Sequence, residues 1–320
     1  TQSGTWMVKD IRPGSQSSYP GQLTNVNGTL FFGALLNDDV YGLWKSDGTS
    51  EGTEFIAAVD YELHESIVYQ EELFFKASNY LWRSDGTAAG TYMVKDVKPF
   101  CMTVAGDTLY FAGLYWGAGS EELWKSDGTE AGTMPVKDIV PGNLGSMPYP
   151  NEWCELEAVG DQLFFVAGHY GLEGHGAEIW RTDGTESGTV LVKDINPGPG
   201  DACTPWEGCM LTNVGSSLFF VPFRGEYGRE LWKSDGTEGG TVLVEDINPG
   251  TDDGFCSLLG TQKCLSAING FGTLYFNGND GLHGLELMQS DGSASGTEIT
   301  HDIAPDEYPS SPQNFVLSGS

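Results

Sequence analysis

The phrase ELWKSDGTEAGTMPVKDIVPG, running from Glu122 to Gly142, returns almost unchanged at Glu178 as EIWRTDGTESGTVLVKDINPG and at Glu230 as ELWKSDGTEGGTVLVEDINPG. A chain that repeats one phrase is built by stacking one small unit, and the spacing of the unit limits the architecture. The Asp of the S-D-G motif falls at Asp47, Asp85, Asp127, Asp183, Asp235 and Asp291, so successive copies lie 38, 42, 56, 52 and 56 residues apart. These gaps bracket the ~40–50 residues of a propeller blade and exceed the ~20–34 of leucine-rich or helical repeats. The unit is punctuated by glycine, rich in Val, Thr and aromatics, and lacks any long apolar run at helical spacing.

The unit from Glu155 to Ile195 reads as a four-stranded meander. ELEAV and LFFVA flank the tight connection Gly160-Asp161-Gln162, the loop GHYGLEGHGA leads to EIWRT, and TVLVKDI returns after the turn at Asp183-Gly184. NPGPGD then breaks the pattern, because Pro197 cannot extend a ladder. The expected fold is all-β: a single β-propeller domain over residues 1–320 with four-stranded antiparallel blades. The repeat units fall at roughly 1–48, 49–86, 87–128, 129–184, 185–236 and 237–292, with a partial unit at 293–320. In each S-D-G-T the Asp can accept from backbone N–H groups just ahead of it, and Gly supplies a positive φ. Trp44, Trp82, Trp124, Trp180 and Trp232, with Met288 in the sixth copy, recur at one blade position and are expected to pack between blades. A ring of ligand-stacking indoles is the alternative.

These phrases resemble the ELWxxDGT-repeat proteins, a group of secreted or surface-associated, mostly bacterial proteins. The resemblance spans essentially the whole chain and implies a building unit, with no catalytic residues to carry over. The second copy departs from it, with Asn79-Tyr80 in place of the G-x-E lead-in, and the first reads EFIAAV where others read V-K-D-I.

The strand types do not balance. Inner strands of the LTNVG type occur seven times, ending in NFVLSGS, and outer strands of the VLVKDI type occur seven times, beginning with TWMVKDI. The two middle types occur six times. Six blades are therefore complete, and a seventh is split between the termini with its middle missing. It could be a seven-bladed ring needing further residues, a six-bladed ring with its terminal strands used elsewhere, or a blade completed by a neighbouring molecule. In the last case Asn314, Phe315, Val316 and Leu317 form an unpaired assembly edge.

Net charge is −30, from 15 basic and 45 acidic residues, which disfavours nucleic acid and anionic lipid as partners. No stretch approaches the ~18 apolar residues of a membrane span. The six cysteines all lie on connections leading into inner strands, and Cys154, Cys209 and Cys264 each precede a turn glycine by six residues. The inferred pairs are Cys203–Cys209, Cys256–Cys264 and Cys101–Cys154, which place the chain in an oxidising, extracellular setting. Buried free thiols are the alternative, and no C-x-x-C or Cys/His cluster suggests metal. Asn27-Gly28-Thr29 is a glycosylation sequon in a hairpin turn. Asp252-Asp253 and Asn279-Asp280-Gly281 could ligate Ca²⁺ but lack the spacing of a dedicated loop, so no cofactor is expected.

His169, His175 and His283 lie in glycine-rich loops beside Glu173, Glu178 and Glu286, without any accompanying catalytic motif, and read as exposed loop residues. Two functions of different classes follow. One is a non-enzymatic extracellular structural protein, a rigid bead that self-associates or joins domains of its own kind in a surface structure or filament. The other is a lectin- or adhesin-like propeller that binds a glycan or surface protein through the loops of one face.

Overall fold

The computed structural model describes residues 4–59, 62–114, 121–141, 145–147, 154–168, 174–204, 208–255, 268–270, 272–305, 309–310 and 312. They form six four-stranded antiparallel sheets, each a simple meander in chain order. The one helix lying wholly within them is the three-residue 3₁₀ turn Ala294–Gly296. Two compact units divide the chain, Thr1–Pro135 and Val136–Ser320.

The first unit holds three sheets. The first comprises Gly21–Val26, Thr29–Leu35, Tyr41–Ser46 and Glu54–Ala58; the second Leu63–Tyr69, Glu72–Ala77, Tyr80–Ser84 and Tyr92–Lys95; the third Lys98–Ala105, Thr108–Leu114, Glu121–Ser126 and Met134–Pro135. In the second unit the fourth sheet comprises Leu156–Val159, Gln162–Ala167, Glu178–Thr182 and Val190–Leu191. The fifth is built from Thr212–Val214, Ser217–Phe220, Leu231–Ser234 and Val242–Glu245, and the sixth from Ile268–Gly270, Thr273–Asn279, Leu285–Ser290 and Glu298–His301.

The repeated phrase builds the hairpin between the third and fourth strands of each sheet. In the third sheet the Asp127 carboxylate accepts from the Thr129 N–H at 2.9 Å and the Thr129 hydroxyl at 2.7 Å. That hydroxyl in turn accepts from the Gly132 N–H at 3.0 Å. Thr133 closes the loop, donating to the Thr129 carbonyl at 2.6 Å and meeting Ser126 at 2.7 Å. The same bonds recur at Asp47, Asp85, Asp183, Asp235 and Asp291. Accepting two donors favours the charged carboxylate, so all six aspartates are held below the ordinary carboxylate pKa. A methyl group on Gly132 would collide with the Asp127 carboxylate. Gly132→Ala is therefore expected to cost about 1–3 kcal/mol in chemical denaturation, as an overpacked site does.

The sheets stack face to face within each unit. Phe74, Leu81, Val94 and Val97 of the second sheet and its exit pack against Met102, Leu109, Phe111 and Trp124 of the third. Phe31, Leu43 and Ile56 of the first sheet meet Leu73, Phe75 and Trp82 of the second in the same way. Trp232 packs against Phe164, Ile179 and Val192 of the fourth sheet, and Met288 against Phe219, Leu231 and Val244 of the fifth. The repeated aromatic thus faces the preceding sheet, and Met288 takes the same seat over Gly278 that Trp124 takes over Gly113.

Two kinds of cation reach from one sheet to the next. Lys45 donates to the Gly86 carbonyl at 3.0 Å, Arg83 to Gly128 at 3.1 Å and Lys233 to Gly292 at 2.6 Å, each reaching the S-D-G turn of the next sheet. The lysine of V-K-D-I reaches the far end of that turn: Lys95 to Glu130 at 3.2 Å, Lys137 to Thr189 at 2.9 Å and Lys193 to Thr241 at 2.8 Å.

The N-terminal phrase TWMVKDI, expected to be an outer strand, lies outside every strand. Nevertheless it occupies the place of one. Lys9 donates to Ser50 and Thr53 at 3.0 and 2.8 Å, the contacts its counterparts make, and Ile11 packs on Phe32, Ala34 and Trp44. The described residues provide no third strand beside it to make a ladder.

Candidate functional site

The face of the first sheet that bears Leu23, Leu30, Phe32 and Trp44 differs from its counterparts. Leu23 stands three residues before the end of its strand, as Met102 does in the third sheet. Met102 is 8% exposed beneath the second sheet, whereas Leu23 is 64% exposed. Val8 is 39% exposed where its counterpart Val94 is 2% exposed. Between the N-terminal segment and the sheet runs an apolar groove of about 180 Å³, lined in part by Val8, Ile11, Pro20, Leu23, Leu30 and Phe32.

The S-D-G turns repeat the comparison. A Phe ring of the preceding sheet lies 3.1 Å from the place a side chain would take on Gly86, 3.2 Å for Gly128 and Gly236, and 2.8 Å for Gly292. For Gly48 nothing lies within 4 Å. The first sheet therefore has the receiving surface of a junction without the aromatic and the cation that complete one. In the second unit, the opposite kind of face on the sixth sheet is also open. Tyr275 and Leu287 are half-buried where the matching Phe31 and Leu43 are buried, and Ile303 is exposed.

A second candidate is a cavity of about 730 Å³ in the first unit, lined by Leu35, Asp38, Asp39, Tyr41, Val59, Glu62 and His64. Partial burial, and then the charge of Glu62, raise the Tyr41 pKa, so the phenol remains a donor at physiological pH. Asp38 pairs with Arg12, leaving Asp39, Glu62 and His64 as exposed polar groups on the rim.

The glutamates of the repeat are buried anchors, beside histidines that are themselves partly exposed. Glu178 accepts from the Ile195 and Asn196 N–H groups, both at 3.2 Å. Glu230 accepts from Ile247 at 2.7 Å, Asn248 at 3.4 Å and Gly254 at 2.7 Å. Glu286 accepts from Ile303 and Ser310. Each carboxylate thereby fixes the connection leaving its sheet. The sequence carries a signal for this that goes unread one repeat at a time: the first donor stands 17 residues after the glutamate in all three cases.

His175 pairs with Asp194 at 2.7 Å and His283 with Asp280 at 2.8 Å, which raises the His283 pKa. Asp280 also accepts from the Leu282 and His283 N–H groups, and Asn279 from Gly281, so this turn consumes its own oxygens. Asp253 accepts from the Arg229 N–H at 2.8 Å. No group of three or more His, Cys, Asp or Glu placed to hold a metal occurs among the described residues. His169 and Glu173 lie outside them.

Cys203 and Cys209 are bridged, with Cα atoms 4.9 Å apart, and Cys101 and Cys154 are each disulfide-bonded. Cys256, Cys264 and the segment Asn314–Leu317 lie outside the described residues. The N–H groups of Cys209 and Met210 donate to half-buried Glu155, and those of Cys101 and Met102 to Glu65, so two connections are fastened alike. Asn27 is exposed at the tip of a hairpin with φ of 50° and Gly28 at 87°, both positive as a two-residue turn of type I′ requires. Trp44 and Trp124 stack on Phe32 and Phe111 at 6.5 and 6.2 Å. Trp82 stacks on Phe75 at 6.2 Å, and Lys137 lies 5.9 Å over Trp180. No described helix is long and apolar enough to cross a membrane.

No protein-family model matches the chain, and no curated protein matches it. Among solved structures, one from a study of two prolyl endopeptidases gives a TM-score of 0.49 at 10% identity, covering 89% of this chain and 43% of its own. A puromycin hydrolase gives 0.46 at 13% identity, with coverages of 84% and 42%. TolB from Acinetobacter baumannii gives 0.38 at 12%, with coverages of 84% and 63%. The chain spans less than half the length of the first two and under two thirds of the third. At these identities and scores the likenesses carry no functional argument.

Proposed function

We propose that the chain is a non-catalytic, extracellular assembly protein of the ELWxxDGT-repeat kind, whose six sheets act as blades of a rigid propeller-type bead that joins others through its open faces. The observation that carries this reading is the first sheet's receiving surface, where Leu23 and Val8 are exposed although Met102 and Val94 are covered. Apolar surface of the kind that Met102 and Val94 bury is stabilised by burial here as well, at about 25 cal/mol per Å² removed from water. A contact of this face with an unlike surface of a neighbour repeats head to tail. The disulfide-bonded cysteines suit the extracellular setting.

Sedimentation of the intact protein over a concentration series tests the reading. Reversible association is expected, reduced to monomer by Leu23→Asp, which alters an exposed side chain and leaves the sheet's own pairing intact. A wild-type protein that stays monomeric at the highest concentration would refute it.

A second reading rests on the cavity around Tyr41. Its carboxylates, imidazole and phenol offer the hydrogen-bonding groups that a polyhydroxylated or cationic ligand requires. Binding to a glycan panel that disappears with Glu62→Ala and Asp39→Ala would support it.

A further inference from the structure

The assembly reading leaves open what seats on the first sheet; taking that reading as its basis, we infer that the occupant is a β-hairpin of this repeat's own middle type, which lies beside the N-terminal segment on the sheet's open face and completes a blade. Three observations define the shape it must have. The segment Thr5–Ile11 already supplies a fourth strand's contacts through Lys9 and Ile11, so a whole four-stranded sheet has no room for its own outer strand. Gly48 lacks the Phe ring that touches Gly86, Gly128, Gly236 and Gly292. The groove beside Leu23, Leu30 and Phe32 is apolar and open. What is missing is therefore the part of a blade that carries the Phe, the following Leu and the turn-reaching cation. In the second sheet that part is the hairpin Glu72–Ser84, where Phe74 and Leu81 face the next sheet and Arg83 donates to its Gly128 carbonyl.

The sequence selects this hairpin further. TWMVKDI at Thr5–Ile11 matches TYMVKDV at Thr91–Val97 at five of seven positions, and the latter is the strand that pairs with Tyr80–Ser84. In the second sheet Trp82 lies opposite Met93 and Arg83 opposite Tyr92. The docked hairpin would accordingly set its Trp against Met7 and its Arg against Trp6. Its Phe would fill the space at Gly48, and its guanidinium would reach the Gly48 carbonyl. Strand addition of this kind draws affinity from backbone pairing and specificity from the alternate side chains.

The test uses the intact chain and a dye-labelled synthetic peptide, ELFFKASNYLWRS, read by fluorescence anisotropy. Saturable binding is expected, weakened at least tenfold by Phe74→Ser with Arg83→Ala in the peptide, and likewise by Leu23→Asp or Val8→Asp in the chain. The two chain variants are separate exposed positions, so a folding failure in one leaves the other to decide. Binding unaffected by all of these changes would overturn the assigned seat. Absence of binding by a chain that still self-associates in a Leu23-dependent way would overturn the hairpin and leave the assembly reading standing. Absence of both would overturn the two together.

Discussion

Trp124→Ala is expected to lower the stability of the first unit by about 3–5 kcal/mol, the range for a large aromatic removed from a core. The indole lies in the cluster that joins the second and third sheets, against Phe74, Leu81, Val94 and Val97 on one side and Leu109 and Phe111 on the other. It also lies directly over Gly113, where even a methyl group would collide with it, so the backbone is shaped to receive the ring. Truncation leaves a void that neither neighbouring sheet can close, because each is fixed by its own ladder and by the Arg83 bond to Gly128. Trp124→Met should recover a substantial part of the loss, since Met288 fills the equivalent seat over Gly278 in the sixth sheet. Urea denaturation of the three proteins decides the matter. An alanine variant within about 0.5 kcal/mol of wild type, the range of surface substitutions, would show that the ring adds nothing to the junction.

How far the sequence discloses this structure depends on the range of each interaction. The S-D-G-T turn is legible because its donors and acceptors lie within seven residues of one another, from Ser126 to Thr133 in the third sheet. The meander is legible because hairpin turns separate short alternating runs, and the recurring Trp because it keeps one register. The cation clamps are not. Lys95 and Lys193 play one role but reach partners 35 and 48 residues away, because the loops between sheets differ in length. TWMVKDI shows the limit from the other side. Its residues match a strand, yet a strand requires a hydrogen-bonded neighbour, and composition cannot supply one. The open first-sheet face follows from the same fact and becomes visible only when Leu23 is set beside Met102 in space.

The glutamate anchors should make the protein less stable as pH rises through neutrality, opposite to the usual behaviour of ion-paired carboxylates. Burial pushes Glu178 and Glu230 up to about 8, and Glu155 to about 7, against the backbone N–H groups that favour the charged form. A carboxylic acid whose pKa is higher folded than unfolded binds more protons in the folded state. Its stabilising contribution is complete below the unfolded value near 4.5 and falls away as pH rises toward about 8. The turn aspartates act in the other direction, but their depressed pKa values confine that effect to pH below the ordinary carboxylate range. Between about pH 5 and pH 8 the glutamates therefore set the slope, with His283, whose pKa is also raised, adding to it in the same direction. Glu230→Gln keeps the shape of the neutral acid and cannot ionise, so its stability relative to wild type should improve steadily across that window, and combining it with Glu178→Gln should flatten the profile further. Glu230→Ala is the harsher change, since it strands the Ile247 and Gly254 N–H groups in a buried site at about 1–3 kcal/mol each. It should be destabilised by several kcal/mol at every pH. Denaturation midpoints at pH 5, 6, 7 and 8 provide the measurement. A wild-type profile that rises over this range, with the glutamine variants running parallel to it, would mean that the buried carboxylates are ionised throughout and that their backbone donors outweigh burial.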